Sequence, residues 1–106
     1  MRPLLSLTPK GRAGDFLLTG PMTLDSAEAS LKSGLGIIAA AYTPLTFDLS
    51  GVTRCDSAGV ALLVEWQRQA IRCHCELRYV ALPAALRSIM QVTGIDGLLS
   101  LSDGAS

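Results

Sequence analysis

Between Leu45 and Leu63 the chain changes its hydrophobic period once, and that change limits what it can fold into. Leu45, Phe47 and Leu49 occupy every second position, the spacing of a strand with one buried face. A short polar turn follows, and an apolar helical pattern begins directly after Asp56-Ser57. This order places a carboxylate, a hydroxyl and Gly59 at the start of a helix, where backbone N–H groups lack partners and the dipole is positive. The turn either caps the helix or presents its hydroxyl to a partner.

The flanking sequence repeats the same alternation of periods. Leu4 to Thr8 and Asp15 to Thr19 read as two strands joined by a glycine-bearing hairpin connection, Lys10-Gly11-Arg12-Ala13-Gly14. Gly20-Pro21 is expected to stop the second strand. Thr23 then offers an N-cap hydroxyl, and Leu24, Ala27, Leu31, Leu35 and Ile38 recur on one helical face. Gly34 and Gly36 weaken the second half of that helix by roughly 1 kcal/mol each relative to alanine.

After Pro44 come a third strand over Leu45–Leu49, a helix over Ser57–Arg72 and a fourth strand over Glu76–Val80. Pro83 suits the first position of a last helix, with Leu86, Ile89, Met90 and Thr93 on one face and Gly94 as its stop. Leu98-Leu99 offers a fifth, short strand, and Leu101 to Ser106 reads as a frayed tail. The pattern ββαβαβα predicts an α/β domain. Its small mixed sheet of four to five strands has an antiparallel N-terminal hairpin, parallel strand–helix–strand units and helices packed on the sheet.

The 106 residues suit a single domain, with an ordered core expected over about residues 4–99. With 49% apolar and 17% charged residues the chain is expected to fold, and its sparse charge leaves room for a lasting partner. Nine basic and nine acidic residues cancel and are scattered, so no basic footprint for nucleic acid is visible. The apolar run at the start is short and bounded by Pro3 and Pro9, unlike a signal peptide. No window approaches the ~20 apolar residues of a membrane span. A cytoplasmic location without direct membrane insertion is expected.

The helix after Asp56 carries more apolar surface than a sheet requires. Val60, Leu62, Leu63, Val64, Trp66, Ala70 and Ile71 span an arc of roughly 200°, where a stripe of about 100° would suffice. Leu62 and Trp66 share one edge of it. Either another helix covers that edge, or it docks a partner with tryptophan as the anchor.

Other chemistry is thinly represented. No phosphate-binding Gly-rich loop of either common type is present. Cys73-His74-Cys75 contains zinc-ligating residue types, but a structural zinc site needs four ligands and no second cluster exists in the sequence. Neither a metal nor a cofactor is expected. The three cysteines, Cys55, Cys73 and Cys75, read as free thiols of a reducing compartment. The single histidine, His74, lies far in sequence from Ser57, so a Ser–His–Asp arrangement and an enzyme are not expected.

The stretch Phe47-Asp48-Leu49-Ser50-Gly51-Val52-Thr53, followed after two residues by Asp56-Ser57-Ala58-Gly59-Val60-Ala61-Leu62-Leu63, resembles the signature of STAS domains. These are the domains of anti-sigma factor antagonists and of sulfate-transporter tails. Gly20-Pro21-Met22-Thr23 and Leu82-Pro83-Ala84-x-Leu86 extend the likeness over nearly the whole chain. The run through Leu62-Leu63-x-Glu65-Trp66 is similar in particular to MlaB-type STAS subunits of the Mla phospholipid-transport complex. That resemblance implies a non-catalytic subunit, peripheral to the inner membrane, that binds the ATPase of an ABC transporter maintaining outer-membrane lipid asymmetry. The binding residues it implies are Asp56, Ser57, Ala58 and Gly59, to which the apolar edge adds Leu62 and Trp66. The alternative within the family is an anti-sigma factor antagonist regulated by phosphorylation at Ser57. That branch usually offers two adjacent hydroxyls after the aspartate, and here the second position is Ala58.

Overall fold

The computed structural model describes residues 4–93 and 101–102. Strands β1 (Ser6–Pro9) and β2 (Asp15–Met22) form the opening hairpin. Helix α1 (Leu24–Ala40), strand β3 (Leu45–Cys55), helix α2 (Ser57–Arg72), strand β4 (Leu77–Val80), helix α3 (Ala84–Thr93) and strand β5 (Leu101–Ser102) follow. The sheet order is β1-β2-β3-β4-β5, antiparallel between β1 and β2 and parallel thereafter. This is the mixed α/β architecture expected from the pattern of periods, and no helix among the described residues is long and apolar enough to cross a membrane.

Alternation selects the face that is covered. Leu45, Phe47 and Leu49 of β3 and Leu77 and Tyr79 of β4 are buried, while the residues between them stay partly or fully exposed. The helices cover that face. Phe47 meets the Trp66 ring of α2 edge-on at 5.4 Å, and the Tyr79 hydroxyl donates to the Leu63 carbonyl of α2 at 2.7 Å. Leu86 and Met90 of α3 are fully buried, as the spacing of that helix predicts.

Three expectations need correction. Gly20-Pro21 does not end β2, which continues to Met22 through an irregularity in its pairing with β3. Gly20 takes φ of +112°, a conformation open to glycine at little cost, and the pairing shift at Pro21 accommodates the missing N–H. For the same reason β3 does not stop at Leu49. Gly51 to Cys55, read as a turn, run on as strand opposite Thr19 to Met22. Leu101-Ser102, assigned to a frayed tail, pairs with Tyr79-Val80 as β5, whereas Leu98-Leu99 and Gly94 lie outside the described residues.

Helix α1 also seats differently. Leu24, placed on its core face from spacing, is 77% exposed, and the buried line is Ser26, Ser30, Gly34 and Ile38. Gly34 is there for space. A Cβ at that position would fall inside the Trp66 indole, so glycine lets α1 close onto α2. The gain in packing outweighs the helix-propensity cost, and α1 stays helical through both Gly34 and Gly36 to Ala40.

Candidate docking site at the start of helix α2

Because β2 and β3 are parallel neighbours and each leads into a helix, the N-termini of α1 and α2 emerge side by side at the C-terminal ends of these strands. Asp56 lies between them. Its backbone is extended, as an N-cap requires, and its Oδ1 accepts from the Ala58 N–H at 2.8 Å. Its Oδ2 accepts from the Leu24 N–H, the first residue of α1, at 3.2 Å. The Asp56 N–H donates to the Met22 carbonyl at 3.3 Å, which fixes the turn to the end of β2. One carboxylate therefore caps two helices 32 residues apart in sequence, with its charge between two positive dipole ends.

Ser57, next along, is exposed, and Ala58 is half-buried. Beyond them α1 and α2 diverge enough to leave an apolar groove of about 310 Å³. Leu24, Ala27, Glu28 and Leu31 form one wall, and Ala58, Ala61, Leu62 and Glu65 form the other. The small side chains of Ala27, Ala58 and Ala61 open the space, and among the described residues Glu28 and Glu65 are the charged lining groups. Glu65 is paired with Arg68 at 3.3 Å in an exposed contact within α2.

The six residues singled out from sequence divide here. Ser57 and Ala58 are accessible, Asp56 is half-buried as the double cap, and Leu62, only 3% exposed, lines the groove. Trp66 is not an exposed anchor. It is fully buried between Phe47 and Gly34, and its Nε1 donates to the Leu31 carbonyl at 3.2 Å, so of the two readings of that apolar edge the covering helix applies. Gly59 is also buried. A Cβ there would come 2.9 Å from the Met22 carbonyl oxygen, so glycine lets α2 seat closely on the end of β2. The wall formed by α1 was missed because Leu24, Ala27 and Leu31 were read as core. The small residues at i, i+4 and i+8, Ser26, Ser30 and Gly34, are the signal that marks the true buried line.

Two further groups bear on the chemistry. Burial pushes the Cys55 thiol upward and the neighbouring Asp56 carboxylate adds to this, so the thiol beside the site stays protonated at neutral pH. His74 sits beyond the far end of α2 with φ of +54°, while Ser57 starts that 16-residue helix. A helix of this length separates its ends by about 24 Å, too far for a serine–histidine hydrogen bond. Among the described residues no group of three or more His, Cys, Asp or Glu side chains is placed to hold a metal ion.

A family model described as MlaB, STAS domain, matches residues 6–100. The chain belongs to the MlaB-like STAS family. No curated protein matches it in sequence. Solved STAS structures share its fold. An anti-sigma-factor antagonist (STAS) domain protein from Planctomyces limnophilus superposes with a TM-score of 0.71 at 18% identity, over 92% of this chain and 88% of the other. The Bacillus cell fate determinant SpoIIAA, in its phosphorylated form, gives 0.67 at 15% identity over 92% and 88%. The murine anion transporter Slc26a9 gives 0.65 at 18% identity, over 87% of this chain but 16% of the transporter. At these identities the likeness is one of fold, and it places the chain's STAS domain in the architecture used by anti-sigma factor antagonists.

Proposed function

We propose that this STAS domain is a non-catalytic subunit that binds and supports the ATPase of an ABC-type phospholipid transporter, one that maintains outer-membrane lipid asymmetry. In this reading it is cytoplasmic and reaches the inner membrane only through its partner. The observation that carries the reading is the apolar groove between α1 and α2, opening beside the exposed Ser57 at the start of α2. A concave apolar patch next to an exposed helix start suits a protein partner better than a small polar substrate. Membership of the MlaB-like STAS family supports an ABC ATPase as that partner.

The test is co-expression with the ATPase of a phospholipid-transporting ABC complex from the same genome. Ser57→Asp puts a charge at the helix start, and Ala61→Arg fills the groove from an exposed position. Each is expected to reduce co-purification at least tenfold while the variant still unfolds in one cooperative thermal transition. Undiminished capture by both variants would reject this interface.

A second reading has its own observation. Ser57 is an exposed hydroxyl at the position where α2 begins, and one structural neighbour, SpoIIAA, exists in a phosphorylated form. An anti-sigma factor antagonist would be phosphorylated there by a cognate kinase. Intact-mass analysis after incubation with that kinase decides it, since wild type would gain a phosphoryl group and Ser57→Ala would not.

A further inference from the structure

We propose that Asp56 is a clamp between the two helix starts, and that it passes a negative charge placed on Ser57, as by phosphorylation, to the α1 wall of the groove. The inference rests on the reading of that groove as the docking site and adds a means of controlling it. Both Asp56 oxygens are committed, Oδ1 to the Ala58 N–H of α2 and Oδ2 to the Leu24 N–H of α1. The first turn of α1 is half anchored by burial: Leu24 and Asp25 are exposed, while Ser26 is buried and Ala27 packs against the core. Polar contacts also hold it, among them the Asp56 bridge and the capping box of Thr23 and Ser26. The Ser26 hydroxyl donates to the Pro21 carbonyl at 2.8 Å and accepts from the Thr23 N–H at 3.2 Å. The same turn supplies Leu24, Ala27 and Glu28 to the groove.

A negative charge on Ser57 acts on this bridge twice. It repels the adjacent carboxylate, and its oxygens compete for the Ala58 N–H at the positive end of α2. When Asp56 is displaced the Leu24 N–H loses its acceptor, the first turn of α1 loosens, and the groove mouth changes shape. Asp56, bonded to both helix starts, acts here as a positioning residue.

Amide hydrogen exchange of the full chain, followed residue by residue by NMR, tests this without any partner. In Asp56→Ala the Leu24 and Ala58 amides should exchange roughly fivefold faster, the size expected for loss of a helix cap. Ser57→Glu should accelerate Leu24 by a similar factor, with Leu63 and Trp66 amides within twofold of wild type. Ser57→Ala should leave Leu24 unchanged. Asp56→Asn, which keeps one good acceptor oxygen, should restore protection to one of the two amides and not both. Unchanged Leu24 protection in Ser57→Glu overturns the relay, and unchanged protection in Asp56→Ala overturns the clamp. Neither result touches the docking reading, which fails separately if the ATPase is not captured by the wild-type chain.

Discussion

Helices α1 and α2 meet in two different ways along their length. In the middle, Gly34 of α1 faces Trp66 of α2, the indole fills the space that the glycine leaves, and its Nε1 finds the Leu31 carbonyl. One or two turns earlier, Ala27 on one wall and Ala58 and Ala61 on the other are too small to close the space between Leu24, Leu31 and Leu62, and a groove remains. Small residues on a helix therefore have no fixed meaning. Opposite a large ring they permit close packing, and opposite one another they leave a concavity that a partner can fill. The first contact is a stability element and the second has the form of a binding element.

Substitution should separate the two. Trp66→Ala removes the largest buried side chain of the core and should cost about 3–5 kcal/mol of unfolding free energy, measured by the denaturant midpoint. In a domain of this size that can consume much of the native stability. Gly34→Ala forces a methyl group into the indole and should cost about 1–3 kcal/mol, because the ring is held by Phe47 and cannot retreat. Ala61→Ser, in the groove, should stay within about 0.5 kcal/mol of wild type. If Ala61→Ser proves as costly as Gly34→Ala, the groove is part of the core and the contrast collapses.

The same contrast explains which parts of the structure were legible in the sequence. Element order and sheet class follow from the switches of period, because burial of one face dictates both. The strand ends near Gly20-Pro21 and Ser50-Gly51 were misplaced because both carry turn residues. Each is overruled by the parallel pairing of Thr19–Met22 with Gly51–Cys55, and a local pattern cannot register a neighbour some 30 residues away. Asp56 was legible as a cap of α2, since the capping residue and its helix are adjacent. Its second bond to Leu24 was not, because it depends on two helix starts meeting in space. The wide apolar arc of α2 was read correctly as excess surface. Its cover, α1, was hidden by the assignment of Leu24 to the core and by treating Gly34 as a weakness. Ile71, counted in the arc, is 67% exposed at the far end of α2, where the arc overstates burial.

A smaller effect tests the sheet side of the same helix. The Tyr79 hydroxyl is buried and donates to the Leu63 carbonyl, and burial pushes its ionisation well above the ordinary value of 10.0. Tyr79→Phe should cost about 1 kcal/mol at neutral pH by removing that hydrogen bond. Since the folded-state value lies above the unfolded one, the tyrosine's contribution is complete below pH 10 and is lost as pH rises beyond it. Urea midpoints at pH 8 and pH 11 should converge for wild type and Tyr79→Phe as the pH is raised. A constant gap between them would mean that the hydroxyl is not sequestered by α2.

The smallest expected effect lies in the opening hairpin, where Lys10 of the connection pairs with Asp48 of β3. Burial alone would raise the Asp48 carboxyl, but the Lys10 ammonium and the Ser50 N–H, which donates to Oδ1 at 2.8 Å, outweigh it and hold the carboxyl below its ordinary value of 3.8. A depressed folded-state value means that the contribution is present above about pH 4 and is lost as pH falls through the lower folded value. Wild type should therefore lose more stability between pH 6 and pH 2.5 than Asp48→Asn does. The difference should be well under 1 kcal/mol, because Lys10 is largely exposed and such pairs are screened. It should also shrink in 1 M salt, where charges interact over only ~3 Å. Equal acid sensitivity in the two proteins would show that the contact between hairpin and β3 is held by the strand pairing of Asp15 with Thr46 and not by charge.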